Sequence, residues 1–284
     1  MSHLRNILFL VMIFITTDIS LAQSKSIHTV SLFADDIADE LNARYQNVTD
    51  TCPGGTPAHY CAGIVIRGTT YSTAYNSWDP SPSALQLGSV SFSYLRSDLR
   101  ISGLAHASGF IFTDTNTARK QGRFLEYRCM YPVNGSTLSI PVSYGCGSGL
   151  YTGDINSCDT LNIMTAEQWY AGKTGEGGCS FSTKVAQKFA TSLDATRKYH
   201  VILKETWNEL LVAVWAPGIP DKLPIEAFFY TTPAGLTEAR SYQKDFCSSK
   251  AARLVPIVAI TFASNPSIFS YKASDQNQAS CPAH

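Results

Sequence analysis

Three groups of side chains in this sequence are suited to holding an anionic ligand and acting on it. Arg67 closes the apolar run Ile64-Val-Ile66 and is followed by Gly68 and Thr69. An arginine at a strand end followed by glycine can hold a diphosphate bidentately, because its planar fork matches two phosphate oxygens. An ordinary exposed edge arginine reads the same way. Ser89, Ser91 and Ser93 alternate with Val90, Phe92 and Tyr94, which puts a polar strip opposite an apolar face on one strand. That strip either lines a site or is the solvent side of a sheet. Glu209 enters the apolar run Leu210-Leu-Val-Ala-Val-Trp215, preceded by Glu205 and Trp207. A carboxylate there faces a cleft or marks a solvated strand end.

The elements that must position these groups are readable from periodicity. Leu32, Ile37, Leu41 and Tyr45 recur at mostly helical spacing and predict an amphipathic helix over Ser31 to Tyr45. Ala62 to Arg67, Ser89 to Leu95, Phe110 to Phe112, Arg123 to Tyr131, Glu209 to Trp215, Leu223 to Tyr230 and Leu254 to Ala263 read as strands. Ser77 to Ala84 is broken by prolines and predicts a loop. Thr165 caps the start of a helix, and Thr183 to Arg197 and Ala234 to Ser248 are helical, whereas 132–160 reads as irregular chain held by disulfides. Helices and strands mingle without strict βαβ alternation, so the expected class is α+β, a single domain over 23–284.

The chain has 284 residues, with 22 Lys and Arg against 22 Asp and Glu, and 44% hydrophobic residues. That balance excludes a disordered chain and argues against a nucleic-acid or anionic-membrane binder, which would show a basic excess. His3 and Arg5 precede an apolar run from Ile7 to Ile15, and Ser20-Leu-Ala22 follows. The run is far short of the ~20 residues needed to span a bilayer. It reads as a secretory signal over 1–22, cut after Ala22, and implies export with no membrane span. The signal carries Arg5 and Asp18, so the remainder stays neutral.

Eight cysteines follow that signal: Cys52, Cys61, Cys129, Cys146, Cys158, Cys179, Cys247 and Cys281. An even count in an exported chain predicts disulfides. Loop closure makes near neighbours plausible and suggests Cys52–Cys61, Cys146–Cys158, Cys129–Cys179 and Cys247–Cys281. No C-x-x-C, H-E-x-x-H or dense His/Cys cluster is present, so no metal is expected.

Other motifs fail on inspection. Gly172-Lys-Thr174 resembles the end of a phosphate-cradling loop, but Glu167 stands where the partner glycine belongs. Gly147-Ser-Gly149 has Cys146 in place of the first glycine of a nucleophile elbow. His28, His59, His106, His200 and His284 adjoin no recognisable nucleophile motif, although a dispersed triad remains open.

An Arg ending one strand, Ser-x-Ser on a second and Glu entering a later one resembles the signature of the ADP-ribosyltransferase fold. A wider set of stretches is similar to the halovibrins, secreted bacterial proteins linked to ADP-ribosyl transfer and NAD glycohydrolysis. These are LNARY (Leu41 to Tyr45), CAGIVIRGT (Cys61 to Thr69), SWDPSPS (Ser77 to Ser83), SVSFSYLR (Ser89 to Arg96), TAEQWYA (Thr165 to Ala171) and LPIEAFFY (Leu223 to Tyr230). The resemblance implies mixed sheets with flanking helices, NAD as substrate rather than cofactor, and a host protein as a possible acceptor.

It also implies roles. Arg67 would hold the pyrophosphate beside Gly68, Ser91 would position the carboxylate or the ribose between Ser89 and Ser93, and Glu209 would stabilise a ribosyl cation. Tyr71, Trp78, Phe92 or Tyr94 would stack on nicotinamide, though core packing is the commoner role of any single aromatic. Arginine-modifying transferases of this fold carry Glu or Gln two residues before the catalytic Glu, where this chain has Trp207. An indole cannot orient a guanidinium by hydrogen bonding, which favours water as acceptor and hence a glycohydrolase. Glu205 and Glu226 remain alternative carboxylates. From a different class, a disulfide-stapled binding domain would use the aromatic stretches Tyr71 to Trp78 and Tyr144 to Tyr151 as contact surface.

Overall fold

Helix α1 (36–46) turns Ala38, Leu41 and Asn42 inward, the three- and four-residue spacing of an amphipathic helix. The computed structural model describes residues 36–70, 76, 78–135, 145–146, 157–172, 178–251, 253–262 and 268–277. The expected signal and the first residues of the expected helix lie outside these, as do Tyr71, Cys281 and most of the two aromatic stretches.

In chain order the strands are β1 (Thr51–Cys52), β2 (Thr56–Pro57), β3 (Ile64–Gly68), β4 (Ser89–Leu95), β5 (Ser108–Phe112), β6 (Tyr127–Tyr131), β7 (Phe181–Ser182), β8 (Glu209–Ala213), β9 (Ile225–Tyr230), β10 (Ile257–Ile260) and β11 (Phe269–Tyr271). The further helices are α2 (Pro82–Leu87), α3 (Thr115–Lys120), α4 (Ala166–Ala171), α5 (Ala186–Tyr199) and α6 (Pro233–Cys247).

Helix α2 replaces part of the loop expected from its prolines. Pro82 sits in the first turn, where its missing N–H costs nothing, the Ser81 hydroxyl accepts from the Ala84 N–H at 3.2 Å, and Gly88 at φ 75° ends the helix. Helix α4 begins at Thr165 as expected, with a reciprocal Thr165–Gln168 capping box.

Among the described residues, nine strands form one sheet in the order β11-β10-β9-β5-β3-β4-β8-β6-β7. The β9/β10 pair is parallel and the other pairs are antiparallel, so the class is α+β. The central ladders differ in length. The β3–β4 ladder stops at Ile66↔Ser93, whereas β3–β5 continues to Gly68↔Gly109 and β4–β8 continues to Ser89↔Ala213. Strands β3 and β4 therefore part company at one end of the sheet. On one face Phe92, Phe110, Phe112 and Trp215 form an aromatic cluster, continued towards α6 by Phe228, Tyr242 and Phe246.

Charge holds the far end of β4. The fully buried Arg96 donates to the Asp98 and Asp50 carboxylates at 2.7 and 2.6 Å, and Arg197 on α5 binds the same two acids.

The disulfides correct two of the expected pairings. Cys52–Cys61 forms as expected, but Cys129 pairs with Cys146, and Cys158 with Cys179. Doubling a loop costs only ~0.6 kcal/mol, too little for proximity in sequence to decide. Strand placement decides instead. Cys129 lies opposite Leu211 in the sheet, where residues 145–146 cross, and Cys158 is drawn to Cys179 by its N–H bond to the Ser180 carbonyl at 3.1 Å. Cys247 is disulfide-bonded, and its expected partner Cys281 lies outside the described residues. Among the described residues, no helix is long and apolar enough to cross a membrane, and no group of acidic, His and Cys side chains is arranged to hold a metal.

Candidate functional site

The three sequence-derived groups fall on three adjacent strands, β3, β4 and β8. Cross-strand partners share a face, so the register locates each side chain. Arg67 is paired with Phe110 and rises on the aromatic face, where its guanidinium carbon lies 5.9 Å from the Phe92 ring centroid. Ser91 is paired with Leu211 and projects from the opposite face, as Glu209 does two residues earlier on β8. Arg67 nonetheless reaches Ser91. Its Nη1 donates to the Ser91 carbonyl at 3.0 Å. A strand carbonyl lies in the sheet plane, and here the β3 backbone has already diverged, so a side chain takes the place of the missing ladder bond.

The serine strip is not a uniformly wet face. Ser91 is exposed, but Ser89 and Ser93 are buried. Val90, Phe92 and Tyr94 are buried as the alternation predicts, and chain covering the other face encloses the two outer serines. The Ser93 hydroxyl donates to the Asn208 carbonyl at 3.1 Å.

Asn208 carries no motif in the sequence, yet it fixes the entry to β8. Its side-chain amide acts as a surrogate peptide: Oδ1 accepts from the Tyr94 N–H at 2.8 Å and Nδ2 donates to the Tyr94 carbonyl at 2.9 Å. The next residue, Glu209, is only 4% exposed and is paired with Tyr131 on β6. Gly135 lies directly over it, where an added Cβ would collide with Glu209 Oε2 and stand 2.7 Å from the Tyr131 ring. The Tyr131 hydroxyl donates to the Gly145 carbonyl, and Cys146 is bonded to Cys129, so Gly135, Gly145 and Cys146 cover the Glu209–Leu211 face.

The alternative carboxylates have other engagements. Glu226 lies on β9, beyond β5 from the Arg67 strand, in a buried ion pair with Arg44 of α1. Burial lifts its carboxyl to about 7 against the downward pull of Arg44. Glu205 is half-buried in the turn after α5, with its N–H on the His200 carbonyl at 3.1 Å. Trp207 is half-buried against the main core.

The aromatic candidates are mostly core. Trp78 is 2% exposed and meets Phe246 edge-on, while its carbonyl accepts from the Trp215 indole at 3.0 Å. Phe92 and Tyr94 are equally enclosed. Tyr71 is outside the described residues.

A second polar cluster lies beside Arg67 and had no sequence signal, because its members are far apart in the chain. Ser108 opens β5 and bonds Thr69: the Thr69 N–H donates to the Ser108 carbonyl at 2.9 Å and the Ser108 hydroxyl lies 3.2 Å from the Thr69 carbonyl. Tyr242 of α6 donates to the same carbonyl at 3.0 Å, and Glu238, one turn earlier on α6, accepts from the Ser108 hydroxyl.

No protein-family model matches this chain, and no curated protein matches it.

Proposed function

We propose that this chain is a secreted NAD glycohydrolase, built on an ADP-ribosyltransferase-like fold and related to the halovibrins, which cleaves the nicotinamide–ribose bond with water as acceptor. The observation that carries the reading is the contact of Arg67 with the Ser91 carbonyl at the point where β3 and β4 separate, with Glu209 on the next strand. A dinucleotide lying across that opening would set its diphosphate on the guanidinium and its nicotinamide ribose on the Ser91 side.

The chemistry asks little proton transfer of the protein. The pyridinium nitrogen of nicotinamide is cationic in NAD, so it takes the bonding pair and departs as a neutral molecule with no general acid. The electron deficit left on the ribose is an oxocarbenium-like cation, as in glycoside cleavage. A carboxylate held in a water-poor setting stabilises that developing charge, and oriented electrostatics of this kind is commonly a large catalytic contribution. Glu209, buried and preceded by the pinned Asn208, suits the task. Water then adds to the anomeric carbon and loses a proton, giving ADP-ribose and nicotinamide. Trp207, in place of an acceptor-orienting acid, favours water over a protein arginine. The disulfides fit an oxidising compartment.

The test is nicotinamide release from NAD by the purified chain, run beside label transfer to an arginine-rich acceptor protein. Release without labelling supports the glycohydrolase. Labelling at a comparable rate makes it a transferase acting on a protein, and neither activity leaves the non-catalytic binding domain.

A further inference from the structure

Glu238 is a carboxylate with one oxygen fixed by a neutral donor. The Ser108 hydroxyl donates to it, and among the described residues no cation lies within ion-pair distance of it. The groups beneath it are enclosed, with Ser108 fully buried and Tyr242 1% exposed, whereas Glu238 keeps partial access to solvent. The cluster is thus rigid at its base and presents an anion at its surface.

Its position relative to Arg67 follows from register. Arg67 is paired with Phe110, and Thr69 bonds Ser108, so Arg67, Thr69, Ser108 and Phe110 share one face. Helix α6 packs on that face, with Tyr242 and Phe246 against Phe228, the cross-strand partner of Phe110. Arg67 leans towards β4 and Glu238 stands over β5, at the same end of the sheet. Thr69, which anchors the cluster, is about 7 Å along the strand from Arg67. One anion-binding fork on β3 and one acceptor-only carboxylate over β5, on the same face and at the same end of the sheet, match a diphosphate linked to a sugar diol.

Resting on the proposed NAD site, we propose that Glu238 binds the hydroxyls of the adenosine ribose and excludes a 2′-phosphate there. A carboxylate accepts from both hydroxyls of a diol, and repels a phosphate placed on one of them. The docking of α6 does not depend on this charge, because Gly235 closes on the Ala107 carbonyl and three aromatic rings already seat the helix.

The experiment is calorimetric titration of the full chain with ADP-ribose and with its 2′-phosphate, neither of which has a bond for the enzyme to cleave. The wild type is expected to favour ADP-ribose by about tenfold or more, the scale of one close like-charge contact. Glu238→Gln is expected to bring the two ligands within about threefold, mainly by binding the phosphorylated one more tightly, with Tm unchanged. Ser108→Ala, which frees the carboxylate, is expected to fall between them. An unaltered preference in folded Glu238→Gln, or equal binding of both ligands by the wild type, overturns the assignment. If neither ligand binds the wild type, the NAD site and this role fall together. If ADP-ribose is preferred but NAD is not cleaved, hydrolysis falls and recognition by Glu238 stands.

Discussion

Arg67 donates to the Ser91 carbonyl at 3.0 Å across the gap where β3 and β4 stop pairing. The bond ties together two strands that the backbone ladder has released, and it sets the guanidinium fork beside the opening. The same side chain thus braces the two strands and, in the proposed site, supplies the cation for the diphosphate.

Replacing that fork tests both roles. Arg67→Lys retains the charge but loses bidentate geometry. Charged hydrogen bonds contribute ~1.5–3 kcal/mol each, so KM for NAD is expected to rise about tenfold or more while kcat changes little. Arg67→Ala should raise KM further. Steady-state nicotinamide release reads the outcome, and an unchanged KM in Arg67→Lys would remove Arg67 from diphosphate binding.

Glu209 and Glu226 are separated by a pair of opposite effects. Glu209→Gln keeps the shape of a side chain enclosed by Tyr131 and Gly135. It is expected to lower kcat by about 10²–10³, the range seen when an oriented stabilising group is removed. Glu226→Gln leaves Arg44 as a buried charge with a weakened partner, so its cost, up to ~3–5 kcal/mol, should appear in Tm and not in kcat. The reverse pattern would move the catalytic carboxylate to Glu226.

Local pattern carried the strands of this site, and long-range contact carried the rest. The apolar runs of β3, β4, β8 and β9 were legible because half-buried and fully buried strands write themselves in alternation or in β-branched blocks. The Thr165 helix cap was legible for the same local reason, and the structure adds Gln168 as its reciprocal partner. What lay on the far side of β4 was not. Burial of Ser89 and Ser93 depends on chain from elsewhere covering that face, and the cysteine pairs Cys129–Cys146 and Cys158–Cys179 depended on where β6 and the turn at 157–161 came to lie. The Ser108–Glu238–Tyr242 cluster joins residues 130 and 134 apart in sequence and leaves no periodic trace. Asn208 carries no signal of its own in the sequence. Its amide mimics a peptide, a role that polarity alone does not announce.

Gly135 has close neighbours on the covered face. Its missing Cβ is what admits both Glu209 Oε2 and the Tyr131 ring. Gly135→Ala must push one of them aside, and overpacking of this kind costs ~1–3 kcal/mol. For a chain of this size that is roughly 2–12 °C in Tm. The displaced group includes the proposed catalytic carboxylate, so kcat should fall with Tm. A drop in Tm with full kcat would show that Glu209 need not keep this place.

The buried His59 gives the fold a pH dependence of definite sign. Its ring is 4% exposed, wedged among Tyr60, Tyr127 and Phe189, with Nε2 at 3.2 Å from the Thr183 carbonyl and Nδ1 at 3.0 Å from the Thr115 hydroxyl. A carbonyl only accepts, so Nε2 carries the proton of a neutral imidazole. Burial, with a smaller push from Arg119, holds the ring down at about 4, against an ordinary 6.5. Below 6.5 the unfolded chain binds a proton that the folded chain refuses, so the His59 contribution is complete above 6.5 and is lost as pH falls to about 4. The loss is on the order of 3 kcal/mol. Glu226, raised to about 7, works in the opposite sense, because the folded state takes up its proton first. Both proteins share that effect when wild type is compared with His59→Phe, so it cancels in the difference. The variant loses two hydrogen bonds and should be less stable at neutral pH. The gap in Tm between the two is expected to narrow, by roughly 6–12 °C, as pH is lowered from 7 to 4. A gap that stays constant with pH would mean that the His59 site accepts a proton as readily as water does.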